Sequence, residues 1–188
     1  WSRQGFLPTN VAFLDDGGFL LADGYGSFRI HRYDRHATWV SSFGGEGKGE
    51  GSFNTPHGIW IDRRPDREPV IVVCDRAHDT LQLFSLDGTY RETIGGFGLP
   101  ANIDTWQGLM LVPELKACLT ILGPDNAPVA RLGRAVERLE EIKDLRGQPA
   151  KWIVGQFVHP HDACFTAAGD ILVAEWVKGG RVTKLERV

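Results

Sequence analysis

The stretch Thr55–Ile94, TPHGIWIDRRPDREPVIVVCDRAHDTLQLFSLDGTYRETI, alternates short apolar segments with polar turns. Its strand-like segments are Gly58–Ile61, Val70–Cys74, Thr80–Phe84 and Tyr90–Ile94. β-Branched and aromatic residues are frequent in these segments, and the Leu-Asp-Gly sequence at 86–88 suits a hairpin between antiparallel strands. The stretch therefore predicts four consecutive antiparallel strands.

The same arrangement occurs four times along the chain. Each copy opens with a proline that precedes a short apolar strand, at Pro8, Pro56, Pro100 and Pro160. These prolines are separated by 48, 44 and 60 residues, and periods of about 40 to 50 residues are typical of four-stranded propeller blades. We therefore predict an all-β fold. The predicted β-propeller domain covers residues 1–188, with blades at about 7–54, 55–98, 99–158 and 159–188.

Two irregularities interrupt the repeat. Val136, Leu139, Ile142 and Leu145 recur at every third position with charges between them, which predicts a short helical insertion at about 134–146. The last repeat ends after its third strand, and the short segment Trp1–Phe6 is a poor donor of a closing strand. We therefore expect further blades upstream of residue 1, with four blades forming two-thirds of a six-bladed ring. The open edge would also allow self-association.

Composition argues against two kinds of partner. The chain has 21 Lys and Arg against 24 Asp and Glu, interspersed along its length, so no basic face for nucleic acid is predicted. It contains no run of about 18 apolar residues, so no membrane span is expected. Cys74, Cys118 and Cys164 lie beside strand-like residues and are expected to be small buried thiols. The recurring tryptophans, Trp176 among them, are expected to pack within or between blades.

Three segments at equivalent places resemble the signature of NHL repeats, in which an apolar residue, Ala or Cys, and Asp precede a turn between strands. These segments are Leu20–Tyr25 (LLADGY), Ile71–Arg76 (IVVCDR) and Asp170–Glu175 (DILVAE). The resemblance identifies the predicted propeller as one of NHL type.

Three further stretches resemble a narrower family, the peptidyl-α-hydroxyglycine α-amidating lyases. They are Ala22–Ile30 (ADGYGSFRI), Phe53–Ile59 (FNTPHGI) and Pro160–Asp162 (PHD). The resemblance extends over nearly the whole chain in blade order. It implies cleavage of a peptidyl-hydroxyglycine carbinolamide to a peptide amide and glyoxylate, with the ligand bound at the mouth of a central channel.

The lyase resemblance also implies roles for five residues. His57 and His161 match two of three histidines that hold a catalytic zinc ion, and Tyr25 matches the tyrosine that acts as base. Arg76 matches the arginine that engages the substrate carboxylate. Asp162 matches the acid after the last histidine, where it would bind calcium or support the zinc ligands. Zinc and possible calcium are therefore the expected cofactors, and a secreted or periplasmic bacterial location is favoured.

Repeat geometry gives the zinc prediction some separate support. The residue after the repeat proline is Thr9, His57, Ala101 and His161 in turn, so histidine occupies one equivalent place in alternate blades. Alternate blades of a six-bladed ring are related by roughly threefold geometry. A third histidine two blades before His57 would complete three nitrogen ligands with an open fourth position, the arrangement of a catalytic zinc. That blade would precede residue 1, so this chain alone is expected to bind zinc weakly and to be inactive.

Departures from the lyase pattern leave the function open. Gly26 replaces a disulfide-forming cysteine of the animal enzymes, His159 replaces a methionine, and the helical insertion is extra. Whether the chain is an enzyme stays open on the sequence alone. One alternative is a non-catalytic NHL propeller that binds protein or peptide ligands, and a second is a metal-dependent hydrolase of the lactonase type.

Overall fold

The computed structural model describes residues 5–188 and shows an all-β propeller fold built from four antiparallel sheets. Within each sheet the strands pair in chain order. The first sheet contains β1 (Asn10–Phe13), β2 (Phe19–Asp23), β3 (Arg29–Tyr33) and β4 (Trp39–Gly44). The second contains β5 (Pro56–Asp62), β6 (Val70–Asp75), β7 (Thr80–Phe84) and β8 (Tyr90–Ile94). The predicted fold class is confirmed.

The third and fourth sheets follow the same order. The third contains β9 (Asp104–Trp106), β10 (Leu109–Glu114), β11 (Cys118–Leu122) and β12 (Pro128–Leu132). The fourth contains β13 (Pro160–Phe165), β14 (Ile171–Glu175) and β15 (Arg181–Leu185). The chain divides into two compact units of two sheets each, one ending at Gly96 and the other covering Phe97–Val188.

Each unit has its own apolar core between its two sheets. In the first unit the core includes Leu20, Ile30, Ile59, Ile71 and Phe84, all nearly inaccessible to solvent. In the second it includes Leu111, Leu119, Phe157, Ile171 and Val173. All of these residues except Phe157 lie in strands, where successive side chains face opposite sides of the sheet.

The insertion before the fourth sheet is helical over only part of its length. Helix α1 covers Val136–Glu141, and two 3-10 turns follow at Leu145–Gly147 and Pro149–Lys151. The helix ends because Ile142 is extended and Asp144 has a positive φ of 52°. Leu145 is nevertheless buried, in a cluster with Val158 and Val177. The insertion is therefore anchored on the fourth sheet by side-chain packing rather than by one continuous helix.

The fourth sheet has three strands, as the sequence predicts. Within residues 5–188 no strand pairs with the outer edge of β15. One face of this sheet exposes Leu172 and Val182, and Cys164 on the same face is exposed rather than buried as expected. The segment Trp1–Phe6, considered above as a closing strand, lies largely outside the described residues. None of the helices in the described part of the chain is long and apolar enough to cross a membrane.

Candidate functional site

A buried acid ends the second strand of every sheet. These acids are Asp23, Asp75, Glu114 and Glu175. Each accepts a hydrogen bond from a backbone N–H in the segment that enters the first strand of the same sheet, donated by Leu7, Asn54, Gly98 and Val158 respectively. Because a buried carboxylate requires such donors, the four acids fix the entry segments against the ends of the second strands.

A second repeated hydrogen bond defines one equivalent position in each blade. Close after the acid, a backbone N–H donates to the carbonyl oxygen of the residue before the repeat proline. The donors are Tyr25, Arg76, Leu115 and Trp176, and their acceptors are Leu7, Thr55, Leu99 and His159. Two of these four positions, Tyr25 and Arg76, are the ones to which the lyase resemblance assigns chemistry.

In the first unit, the structure brings together three of the five predicted site residues. Tyr25 lies in the turn between β2 and β3, His57 is the second residue of β5, and Arg76 begins a 3-10 turn after β6. The Nη1 atom of Arg76 donates a hydrogen bond to Tyr25 Oη at 2.9 Å. The rings of Tyr25 and His57 meet edge to face, with centroids 6.0 Å apart.

The surroundings of the three side chains differ. Tyr25 is 53% exposed, whereas Arg76 and His57 are 8% and 7% exposed. Burial lowers the pKa of the Arg76 guanidinium from its ordinary value, while Tyr25 and Cys74 act in the opposite direction. Arginine keeps its positive charge at neutral pH. The cluster therefore presents an accessible phenol hydroxyl backed by a fixed cation.

Local backbone structure explains how Arg76 and His57 are placed. The N–H groups of Arg76 and Ala77 donate to the carbonyl oxygens of Thr55 and Asn54, which ties the 3-10 turn to the start of β5. The β5–β6 register shifts between Pro56 and Ile59, so His57 lies in a β-bulge. Bulges re-aim side chains at strand ends and are frequent near active sites. The same shift occurs in β13 between Pro160 and Asp162, at His161.

The second unit contains the remaining two predicted site residues. His161 is half-buried and Asp162 is exposed. Asp162 Oδ1 accepts hydrogen bonds from Asn102 Nδ2 at 2.7 Å and from the backbone N–H of Ala163 at 2.9 Å. These hydrogen bonds tie Asp162 to Asn102 and to the start of β13. Its predicted role, as a calcium ligand or as support for the zinc ligands, stays a prediction.

The two predicted histidines, His57 and His161, are of a residue type that binds zinc, but two ligands are fewer than the three that a catalytic zinc site uses. Imidazole nitrogens are suitable zinc ligands, and each unit contributes one of the two predicted histidines. Residues 5–188 contain no group of three or more His, Cys, Asp or Glu side chains placed to hold a metal ion. The zinc prediction therefore stays a prediction.

One group of contacts on the second unit was not predicted from the sequence. Trp176, expected to pack within or between blades, is 52% exposed. The Cζ atom of Arg146, from the insertion, lies 3.3 Å from the centroid of the Trp176 ring. His159 approaches Trp176 with ring centroids 6.2 Å apart. The repeat position of Trp176, directly after Glu175, is the signal that sequence analysis could have used.

Comparisons with known proteins give a relative and several structural neighbours. No protein-family model matches the chain. Peptidyl-alpha-hydroxyglycine alpha-amidating lyase 1 of Drosophila melanogaster is 29% identical in an alignment 196 residues long, gaps included, that covers 92% of this chain and 34% of the relative. The chain thus spans about one-third of the length of that curated relative.

The structural neighbours are similar in fold at low sequence identity. A protein of unknown function from Bacteroides caccae has a TM-score of 0.62 at 15% identity, over 95% of this chain and 63% of its own. Virginiamycin B lyase from Staphylococcus aureus has a TM-score of 0.61 at 11% identity, over 95% of this chain and 55% of its own. A streptogramin B lyase has a TM-score of 0.64 at 10% identity, over 98% of this chain and 56% of its own. These likenesses concern the propeller fold alone.

Proposed function

We propose that this chain is part of a six-bladed NHL-type propeller that acts as a peptidyl-α-hydroxyglycine α-amidating lyase. The observation that carries the proposal is the cluster of Tyr25, His57 and Arg76, in which Tyr25 contacts both of the other residues with assigned roles in the first unit. The similarity to the Drosophila lyase supports the same reaction.

In the proposed reaction, a peptidyl-hydroxyglycine loses its hydroxyl proton, its bond between the α-carbon and the amide nitrogen breaks, and the nitrogen is protonated. The products are a peptide amide and glyoxylate. The phenolate form of Tyr25 takes the hydroxyl proton, and the resulting phenol gives that proton to the departing nitrogen, so the phenolate is regenerated and the step balances. The hydrogen bond from Arg76 fixes the position of Tyr25 Oη for both transfers.

The Arg76 guanidinium has a second task in this proposal. Its planar group of five N–H donors matches a carboxylate, and one of these donors already reaches Tyr25. A substrate carboxylate held by Arg76 would therefore be placed beside the phenol hydroxyl. A zinc ion held by His57, His161 and an upstream histidine would polarise the hydroxyl of the substrate.

Metal content and product formation test the proposal together. Zinc and calcium are measured by elemental analysis in this chain and in forms extended upstream, beside His57→Ala, His161→Ala and the control His36→Ala, an exposed turn residue. We expect stoichiometric zinc in an extended form, its loss in the first two variants only, and glyoxylate release from a hydroxyglycine-extended peptide. Zinc unaffected by either change, with no glyoxylate, contradicts the proposal.

The two alternatives predict different results with the same proteins. A non-catalytic propeller would bind the peptide through Arg76 and Tyr25 without releasing glyoxylate. A lactonase-type hydrolase would open a lactone ring and leave the hydroxyglycine peptide intact. Product analysis with both substrates distinguishes the three functions.

A further inference from the structure

We propose that Arg146 and Trp176 form a carboxylate-binding subsite on the fourth blade, which selects peptide ligands that carry an acidic group. The inference concerns binding by the second unit and does not depend on the lyase reaction. Trp176 occupies the same repeat position as Tyr25 and Arg76. In each blade, the backbone N–H at this position donates to the carbonyl oxygen of the residue before the repeat proline.

The exposure of Trp176 indicates a surface that is available to a ligand. Tryptophan is a large apolar side chain that gains stability when buried, yet 52% of Trp176 remains accessible. The 3.3 Å approach of Arg146 Cζ to the ring centroid is a close cation–π contact that covers one side of the ring. His159 lies nearby, and its Nδ1 donates to the carbonyl oxygen of Leu115 at 2.6 Å, which fixes the imidazole.

The insertion supplies Arg146 in a fixed position. The backbone carbonyl oxygen of Arg146 accepts a hydrogen bond from Lys178 N in the turn after β14. Leu145, the preceding residue, is buried against Val158 and Val177, and its carbonyl oxygen accepts from Trp152 Nε1 at 2.9 Å. The backbone of Arg146 is therefore anchored, and the contact with Trp176 holds its guanidinium, so the guanidinium loses little freedom when a ligand binds.

The charge of Arg146 is not neutralised by a nearby acid in the described part of the chain. Other arginines of this region have polar partners: Arg134 pairs with Glu137, Arg181 pairs with Glu175, and Arg138 donates to Gln156 and Lys151. Asp144 is close in sequence, but its carboxylate lies against Gly147. Within residues 5–188, the guanidinium of Arg146 contacts the ring of Trp176 and forms no ion pair.

The chemistry of the Arg146 guanidinium suits a carboxylate ligand. The Cζ atom of Arg146 lies 3.3 Å from the centroid of the Trp176 ring, and the N–H donors of the guanidinium lie in one plane around that atom. A planar fork of donors matches a carboxylate through two parallel hydrogen bonds. The exposed part of Trp176 then offers an apolar surface to the residue beside the acidic one.

Peptide binding to this 188-residue chain tests the subsite. The probes are acetylated tetrapeptides: Ala-Glu-Phe-Gly amide, Ala-Gln-Phe-Gly amide, and Ala-Gln-Phe-Gly with a free terminal carboxylate. Dissociation constants are measured by isothermal titration calorimetry for the natural chain, Arg146→Gln, Arg146→Lys and the control Lys143→Gln, an exposed cation of the same insertion. The second and third peptides distinguish a terminal carboxylate from a side-chain carboxylate.

We expect the glutamate peptide to bind about tenfold more tightly than its glutamine amide counterpart, as a charge-assisted hydrogen-bonded pair implies. Arg146→Gln should abolish the preference, Arg146→Lys should reduce it, and Lys143→Gln should retain it. If Arg146→Gln weakens all peptides equally and lowers the melting temperature, Arg146 only anchors the insertion, and the proposal is wrong. A preference that survives Arg146→Gln, or no binding by the natural chain, also overturns it. None of these results depends on zinc or turnover, so the lyase proposal is tested separately.

Discussion

At the scale of single residues, the hydrogen bond between Arg76 and Tyr25 joins two neighbouring sheets of the first unit. Hydrogen bonds to charged groups contribute about 1.5–3 kcal/mol, and the exposure of Tyr25 reduces this through solvent screening. We expect a coupling free energy of about 1 kcal/mol between Tyr25→Phe and Arg76→Gln. A double-mutant cycle of urea unfolding measures it.

Tyr33 provides the control for this cycle. Its ring stacks on Phe19 in the first sheet, at a centroid distance of 4.9 Å, and no hydrogen bond joins it to Arg76 in the described structure. Tyr33→Phe combined with Arg76→Gln should therefore be additive within experimental error. A coupling of equal size in both cycles would mean that the Tyr25 effect is not specific to the hydrogen bond.

A buried ion pair in the same unit gives a prediction for its stability in acid. Asp62 is fully buried and accepts hydrogen bonds from Arg64 Nε at 3.0 Å and Nη2 at 2.9 Å, and from Arg67 Nη1 at 3.2 Å. Burial raises the pKa of Asp62, but these arginines outweigh it, so the net pKa is lowered from 3.8. The folded protein therefore keeps Asp62 ionised to lower pH than the unfolded chain does.

The direction of the pH effect follows from that lowered pKa. The stabilising contribution of Asp62 is complete above its ordinary pKa of 3.8 and is lost as pH falls through the lower folded value. We expect Asp62→Asn to cost about 3 kcal/mol at pH 7, because it leaves buried arginine charge uncompensated. Its unfolding free energy should also fall less steeply than that of the natural chain below about pH 4.

Asp15 provides the matched control for Asp62. It pairs with Arg63 at 2.7 Å, but its side chain is 79% exposed. Surface pairs contribute little to stability, so Asp15→Asn should leave both the stability and its acid dependence almost unchanged. Chemical denaturation from pH 2.5 to 7 compares the variants, and parallel curves for Asp62→Asn and the natural chain would contradict the assignment.

At the scale of elements, the acid that ends each second strand fixes the turn that follows it. Asp75 Oδ1 accepts from Asn54 N, and Oδ2 accepts from His78 Nδ1 and from Gln82 Nε2. In Asp75→Asn one oxygen becomes an NH2 group that faces existing donors. We expect a loss of about 2 kcal/mol, the cost of buried donors without acceptors. Urea unfolding measures it, and Glu92→Gln on exposed strand β8 should be neutral.

The strands were predicted from the sequence more accurately than the insertion. Turn residues limit β7 and β8, and their observed bounds equal the predicted ones. Strand β5 begins at Pro56, two residues earlier than predicted, because Pro56 pairs with Asp75 across the bulge.

The insertion was predicted as one helix because its apolar spacing of three fits both a helix and successive 3-10 turns. The extended Ile142 and left-handed Asp144 divide it, and Leu145 is buried after the break.

At the scale of the whole molecule, repeat spacing was sufficient to predict the number of blades but not the candidate site. Tyr25, His57 and Arg76 were recognised by resemblance, and their contact joins residues far apart in the sequence. The contact between Arg146 and Trp176 depends on how the insertion folds back onto the turn after β14. Such contacts depend on tertiary packing, so the apolar period of the sequence does not encode them.

The open edge of the fourth sheet gives a last prediction. Strands β3, β7 and β11 are each paired on both sides, whereas β15 pairs only with β14 in the described part of the chain. About half of the amides of an edge strand point away from its neighbour. Hydrogen exchange monitored by mass spectrometry should therefore be faster for 181–185 than for 80–84 or 118–122 at low protein concentration.

The dependence of this exchange on protein concentration identifies what covers the edge. If the chain self-associates through β15, the amides of 181–185 should become protected as concentration rises, while those of β7 and β11 stay constant. Lys184 points its ammonium at Asp170 and Glu186 along this strand, and Val182 is the large apolar side chain that β15 exposes. Val182→Lys should then remove the concentration dependence without altering exchange in β7. Protection of 181–185 that matches β7 at every concentration would instead show that β15 is not an edge strand in solution.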